Sequence, residues 1–239
     1  MISKLNNAHS LLVSVARLGL GLTVSEYCRR NPPRPEMPLE LYQYEGCPFC
    51  RKVREAMSRL DLAYISRSSA KGAGANRYFV SARAGKTQFP FLVDPNTGTE
   101  LYESEAIIDY LAETYGGGRS GLSKTVAPLS TLNSALAGGL RPRGLSSRLK
   151  KPRDAQPEQL LELYNFEASP YCRKVREVLD ELELDALIQN VAKGSKRRPE
   201  LVKRGGQMMV PFLVDPNTGR QLYESDDIVA YLRATYKGG

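Results

Sequence analysis

The strongest constraint on the fold of this chain is an internal repeat. Residues 39–62 and 161–184 are identical at 14 of 24 positions, and residues 90–115 and 211–236 are identical at 18 of 26 positions. The spacing between the matched blocks differs by only one residue, so both halves carry the same pattern in the same order. Such repetition predicts two copies of one fold rather than one large domain.

Each copy alternates strand-like and helix-like segments. Residues 39–44 alternate Leu and Tyr with polar residues, as in a strand, and residues 53–60 place apolar side chains on one helix face. Further strands are predicted at 62–65, 91–93 and 101–102, with a loop and short helix within 69–83. A last helix runs from about Ser104, its predicted N-cap, to Tyr115. The order β-α-β-α-β-β-α predicts an α/β fold, present twice in tandem.

Charge and composition predict four segments. Residues 1–37 are interpreted as an N-terminal extension or clasp, 38–116 as the first domain, 117–158 as a basic linker and 159–239 as the second domain. The net charge of +8 arises from the extension and the linker, since both domains are close to neutral. This distribution favours a solvated linker over a nucleic-acid-binding face. The similar stretches 14–20 and 134–140 suggest a short clasp helix in each segment.

Other features of the whole chain bear on membrane association and on the cellular compartment of the protein. No apolar run approaches the ~18 residues of a membrane span, so no membrane partner is expected. Four scattered cysteines do not form a disulfide framework for 239 residues. A reactive dithiol suits a reducing compartment, which predicts a cytoplasmic protein, with an organelle stroma or matrix as the alternative.

The first copy contains a C-x-x-C motif, Cys47-Pro48-Phe49-Cys50, at its first strand-to-helix turn. A helix N-terminus favours thiolate over thiol, so Cys47 is the predicted nucleophile and Cys50 the resolving thiol. Arg51, Lys52 and Arg54 are expected to add positive charge nearby. A structural zinc site is the alternative, but it needs four Cys or His ligands and the chain has no second C-x-x-C. We therefore predict a redox site and no metal site.

The second copy replaces the motif with Ser169-Pro170-Tyr171-Cys172. A serine hydroxyl is not ionised near neutrality without a base, and this half contains no histidine. The second copy is therefore predicted to be unable to run a two-cysteine cycle. Cys172 is interpreted as a buried small residue or as a modifiable thiol.

These residues resemble the thioredoxin superfamily, in particular glutaredoxins and the N-terminal domains of glutathione S-transferases. The resemblance implies cis peptide bonds at Phe89-Pro90 and Val210-Pro211, where the residue before proline pairs with the cysteinyl part of glutathione. It also implies that Glu103-Ser104, and their equivalents Glu224-Ser225, hold the γ-glutamyl end. The all-helical C-terminal domain of the transferases has no counterpart in this sequence.

The predicted function is a glutathione-dependent thiol–disulfide oxidoreductase, with the first domain catalytic and the second degenerate. Glutathione would be the co-substrate, and disulfide-bonded or glutathionylated proteins the substrates. One alternative is a glutathione S-transferase-like or glutathione-binding protein in which Ser169 holds the thiol. Another is a carrier of a glutathione-ligated iron–sulfur cluster, bridged through Cys47 in a dimer.

Overall fold

The computed structural model describes residues 21–118 and 143–237. The proposed clasp stretches 14–20 and 134–140, and His9, lie outside these residues. The strands are β1 (Leu39–Gln43), β2 (Tyr64–Ser68), β3 (Phe91–Asp94), β4 (Thr99–Tyr102), β5 (Leu161–Asn165), β6 (Ala186–Asn190), β7 (Phe212–Asp215) and β8 (Arg220–Leu222). The helices are α1 (Glu26–Arg30), α2 (Pro48–Arg59), α3 (Ala75–Ala84), α4 (Ser104–Tyr115), α5 (Pro170–Glu181), α6 (Arg198–Gly205) and α7 (Ser225–Tyr236).

Each repeat has the predicted order β-α-β-α-β-β-α, so the predicted fold class is confirmed. In the first repeat β1 pairs in parallel with β2 and antiparallel with β3, which pairs with β4. The second repeat pairs its four strands in the same way. Each repeat is therefore a thioredoxin-like unit with a four-stranded mixed sheet.

The two sheets join edge to edge, a feature that the sequence did not predict. β2 pairs antiparallel with β6, with Tyr64 opposite Ile188 and Ser66 opposite Ala186. The result is one eight-stranded sheet of order β4-β3-β1-β2-β6-β5-β7-β8. One continuous cluster of buried apolar side chains includes residues of both repeats, such as Leu41, Met57, Leu163 and Ile188. Pairing also removes an exposed sheet edge from each repeat.

A buried ionic cluster joins the two repeats through arginines of α2 and α5 and glutamates of the turns before these helices. Arg176 of the second repeat binds Glu45 of the first, with Nε 2.9 Å from Oε2. Arg54 of the first repeat binds Glu167 of the second reciprocally, with Nε 3.1 Å from Oε2. All four side chains are at most 3% exposed. Burial alone would raise the pKa of Glu45, but Arg176, Arg54 and Arg51 outweigh it and hold that pKa well below its usual range.

The described part of the linker is packed rather than simply solvated. The Lys71 N–H donates to the Leu145 carbonyl at 2.9 Å, and the Ser147 N–H donates to the Lys71 carbonyl at 2.7 Å. Residues 144–147, which we call the linker strap, thus run beside the first repeat. Residues 21–24 make the same contacts with the second repeat, through Lys193. Each repeat is therefore held by the segment that precedes the other repeat.

Candidate functional site

Cys47 occupies the position that the motif predicted, directly before α2. It is the N-cap residue, with φ −82° and ψ 120°, and Pro48 follows in the first turn of the helix. The Cys50 N–H donates to the Cys47 sulfur at 3.3 Å. Helices accept proline at this position because their first N–H groups have no partner within the helix.

Hydrogen bonds to the sulfur make Cys47 unusually acidic. The hydrogen bond from the Cys50 side chain lowers the pKa of Cys47 most. Burial opposes this effect, whereas the N–H groups of Cys50 and Phe49 and the charge of Arg54 lower that pKa further. Together they bring the pKa of Cys47 to about 7. Burial, and then the neighbouring Cys47, raise the pKa of Cys50 well above its usual value. The pair can therefore hold a thiolate at residue 47 and keep the proton on residue 50.

The basic residues of α2 contribute less to this acidity than the sequence suggested. Arg54 is bound in the buried ionic cluster, and Lys52 pairs with Glu105. Arg51 lies 3.9 Å from Glu45. Of the three, only Arg54 is among the main causes of the low pKa of Cys47. The helix end and the Cys50 thiol, rather than a positive patch, create the acidic thiol.

The cis proline loop lies beside the Cys47 turn. Phe89-Pro90 has a cis peptide bond, as the resemblance implied. The Phe89 ring packs edge-on against Tyr44, with ring centroids 6.1 Å apart, and the Arg77 guanidinium lies 4.8 Å from the Phe89 centroid. The Tyr44 carbonyl accepts the Cys47 N–H at 3.1 Å. Tyr44 thus contacts Cys47 through its carbonyl, and through its ring it contacts the loop predicted to hold glutathione.

The Glu103-Ser104 pair stands at the start of α4, but its roles differ from the predicted ones. Glu103, not Ser104, is the N-cap, because its φ of +66° keeps it outside the helix, and Ser104 is the first helical residue. The Glu103 side chain makes no capping hydrogen bond and accepts instead from Gln88. A left-handed backbone at a non-glycine residue is strained and is often found at binding sites. The helix start therefore suits a ligand carboxylate.

The second repeat preserves this framework without the reactive sulfur. Val210-Pro211 is cis, Glu224 has φ +62°, and Ser225 begins α7. Ser169 caps α5 as Cys47 caps α2, accepting the Cys172 N–H at 3.2 Å. Cys172 is fully buried, and burial raises its pKa. The exchange of Cys for Ser thus keeps the helix cap and removes the acidic thiol.

Two contributors to the site were missed at the sequence level. Asp180 of the second repeat accepts the Glu45 N–H at 2.6 Å, which fixes the turn before Cys47. Gly46 donates to the Gly144 carbonyl of the linker strap at 3.3 Å. Both copies have a glutamate at this position, Glu45 and Glu167, and this repetition could have indicated the ionic cluster. Asp180 gave none, because the first copy has Ser58 at that position.

The remaining cysteine, Cys28, is fully buried, and its thiol donates to the Tyr115 carbonyl at 3.7 Å. Within residues 21–118 and 143–237, no group of three His, Cys, Asp or Glu side chains could hold a metal ion. Across the same residues, no helix is long and apolar enough to cross a bilayer.

Comparisons with known proteins agree with this geometry. The family model "Glutathione S-transferase, N-terminal domain" matches twice, at residues 41–119 and 163–239. Glutathione S-transferase D7 of Drosophila melanogaster is 36% identical over 78 residues, which are 32% of this chain and 34% of that protein. The chain thus spans about a third of the length of this relative.

One solved structure is also similar, a trimeric glutathione transferase of Leishmania named TDR1. The likeness has a TM-score of 0.30 and 15% identity, and it covers 85% of this chain and 68% of the other. The family model alone matches well over half of the residues. The chain therefore belongs to the family of glutathione S-transferase N-terminal domains and carries two copies of that domain in tandem.

Proposed function

We propose that the protein is a glutathione-dependent thiol–disulfide oxidoreductase whose first repeat carries the reaction. The observation that carries the proposal is the acidic thiol of Cys47 at a helix start, three residues from a protonated Cys50. A thiolate that forms near neutral pH attacks disulfides efficiently, because its ionised fraction and its nucleophilicity are balanced.

The site would bind glutathione through two elements. The backbone of Phe89, before the cis proline, would pair with the cysteinyl part of the tripeptide. Ser104 and the first N–H groups of α4 would receive the γ-glutamyl carboxylate, and the exposed Glu103 carboxylate would receive its ammonium group.

The reaction would proceed in two exchanges. The Cys47 thiolate attacks the glutathione mixed disulfide of a protein, forms a disulfide with one sulfur and releases the other as thiolate. Free glutathione then attacks the partner sulfur of that disulfide and releases Cys47 as thiolate, or Cys50 attacks the Cys47 sulfur and expels the partner as thiolate. Direct reduction by Cys50 would leave a Cys47–Cys50 disulfide, which two molecules of glutathione would reduce.

The test is reduction of a glutathione mixed disulfide by the purified full-length protein. Cys47→Ser should abolish the activity. Cys172→Ser, at the equivalent of the resolving position, should leave the rate unchanged because that thiol is fully buried. An undiminished rate in Cys47→Ser would refute the assignment of the nucleophile.

A second candidate function is glutathione binding by the second repeat, with Ser169 beside the ligand thiol. The cis Val210-Pro211 bond and the positive φ of Glu224 favour it, because they repeat the framework of the first site. Calorimetry on the full-length protein would decide between one and two binding sites. Two sites, one of them lost in Ser225→Ala, would support this function, whereas a single site lost in Ser104→Ala would exclude it. No observation among the described residues favours an iron–sulfur cluster.

A further inference from the structure

The surroundings of Cys47 hold a polar group that its counterpart in the second repeat lacks. Tyr44 is half-buried and lies three residues before Cys47, joined to it by the backbone hydrogen bond of the turn. Its ring extends to Phe89 at the cis proline loop. The side chain therefore lies beside the route between the thiol and the loop proposed to hold glutathione.

The two repeats form an internal comparison at this place. The first has Tyr44, Cys47 and Phe89, and the second has Phe166, Ser169 and Val210 at the matching positions. Both repeats retain an arginine nearby, since Arg77 and Arg198 donate to the equivalent carbonyls of Ser69 and Val191. At the position three residues before residue 47 or 169, a tyrosine hydroxyl is thus present where the thiol is present and absent where the thiol has been replaced, although Tyr171 stands in the second repeat in place of Phe49.

The charges around this hydroxyl are consistent with contact to the sulfur. Burial raises the pKa of Tyr44 most, and the charges of Cys47 and Cys50 and a hydrogen bond with Cys47 raise it further, against the effect of Arg77. The hydroxyl therefore keeps its proton at pH values at which Cys47 has lost its own. Among the described residues, the charged or titratable groups that act most strongly on this pair are Cys50 and Arg54 of α2 and Arg77 of α3.

We infer that the Tyr44 hydroxyl donates a hydrogen bond to the Cys47 thiolate and acts as a positioning residue for the nucleophile. The inference rests on the proposed function only for its catalytic consequence, since the hydrogen bond can be measured without substrate. Cys47 is only 3% exposed, so a donor at this place stabilises the sulfur anion where water contributes little. The Cys50 side chain lowers the pKa of Cys47 most, so loss of the Tyr44 hydroxyl should raise that pKa only in part.

The test is Tyr44→Phe in the full-length protein, with the pKa of Cys47 followed by thiolate absorbance or by alkylation rate. Phenylalanine is the residue that the second repeat carries, so the variant is expected to fold. We expect a rise of about half to one unit in the pKa of Cys47, a roughly three- to tenfold loss of thiolate at pH 6. Phe166→Tyr, beside Ser169, is the matched control and should leave that pKa unchanged.

The outcomes distinguish a failure of this inference from a failure of the proposed function. An unchanged pKa of Cys47 in a folded Tyr44→Phe variant overturns the inference, even if the wild-type protein reduces mixed disulfides. A raised pKa supports it, even if the wild-type protein is inactive towards the chosen substrate. If the wild type is active, kcat of the variant should fall at pH 6 and approach the wild-type value above pH 8.5, while a merely structural role would lower it at every pH.

Discussion

At the residue scale, the contrast between Cys47 and the other cysteines explains where reactivity lies. Cys28, Cys50 and Cys172 are all fully buried, and burial raises the pKa of each. Cys47 is nearly as buried, yet its pKa falls to about 7 because several donors point at its sulfur. Hydrogen bonding to the anion therefore outweighs desolvation at this one position.

The Cys50 side chain, which lowers the pKa of Cys47 most, can be removed by a single substitution. Cys50→Ala deletes the side-chain donor, and we expect the pKa of Cys47 to rise by about one to two units, since a hydrogen bond to a charged group contributes roughly 1.5–3 kcal/mol. Cys50→Ser keeps a donor and should shift the pKa less. Alkylation rate against pH measures both variants, and equal shifts would show that the side-chain donor is not responsible.

At the element scale, the linker strap packs against the turn that precedes Cys47. Gly144 has φ +66°, and a Cβ there would lie 3.0 Å from both the Glu177 Cα and the Glu45 Cβ. Glu45 in turn donates its N–H to Asp180, and Gly46 donates to the Gly144 carbonyl, and both bonds fix the turn before Cys47. The strap is therefore part of the support of the site and more than a connection between repeats.

Gly144→Ala tests this support. We expect a loss of about 2–5 kcal/mol in the free energy of unfolding, from left-handed strain of ~1–2 kcal/mol and close contact of ~1–3 kcal/mol. Gly98→Ala is the control, since Gly98 has φ +71° but open space around its Cβ position, and it should cost only the strain. Urea unfolding measures both, and equal losses would contradict the packing argument.

At the scale of the whole molecule, the chain is a fused pair of repeats that share one sheet and one core. The ionic cluster at their junction is reciprocal, with Glu45 bound by Arg176 and Glu167 bound by Arg54. Because Glu45 lies two residues before Cys47, the second repeat helps to position the proposed nucleophile of the first, although it has serine at its own equivalent position. This arrangement gives a physical reason for a retained, degenerate copy.

Breaking the buried ionic cluster should lower the free energy of unfolding. Arg54→Met leaves Glu167 and Glu45 with one fewer cationic partner in the interior, for which we expect a loss of about 3–5 kcal/mol. Arg83→Gln, which breaks the exposed pair of Arg83 with Glu100, should hardly change stability. Chemical unfolding monitored by circular dichroism compares the two. Near-equal midpoints would mean that the buried cluster does not hold the repeats together.

The sequence predicted what local patterns determine. The repeat, the strand and helix order, and the placement of Cys47 at a helix start all follow from spacing and periodicity. It did not predict the pairing of β2 with β6, because an edge strand of this composition can be exposed, covered or paired. It also misassigned the cap of α4, since serine is the commoner cap and nothing marked Glu103 for a positive φ. Contacts between distant segments, such as Asp180 with Glu45, leave no local pattern.

Cys47, unlike the other three cysteines, has the surroundings of an activated thiol. The most direct measurement is alkylation of the native full-length protein with iodoacetamide across pH 5–10, with the modified cysteines located by peptide mapping. We expect labelling at Cys47 with a midpoint near pH 7, and protection of Cys28, Cys50 and Cys172 in the folded protein. A midpoint near 9, the value of an ordinary thiol, or preferential labelling of another cysteine would contradict it.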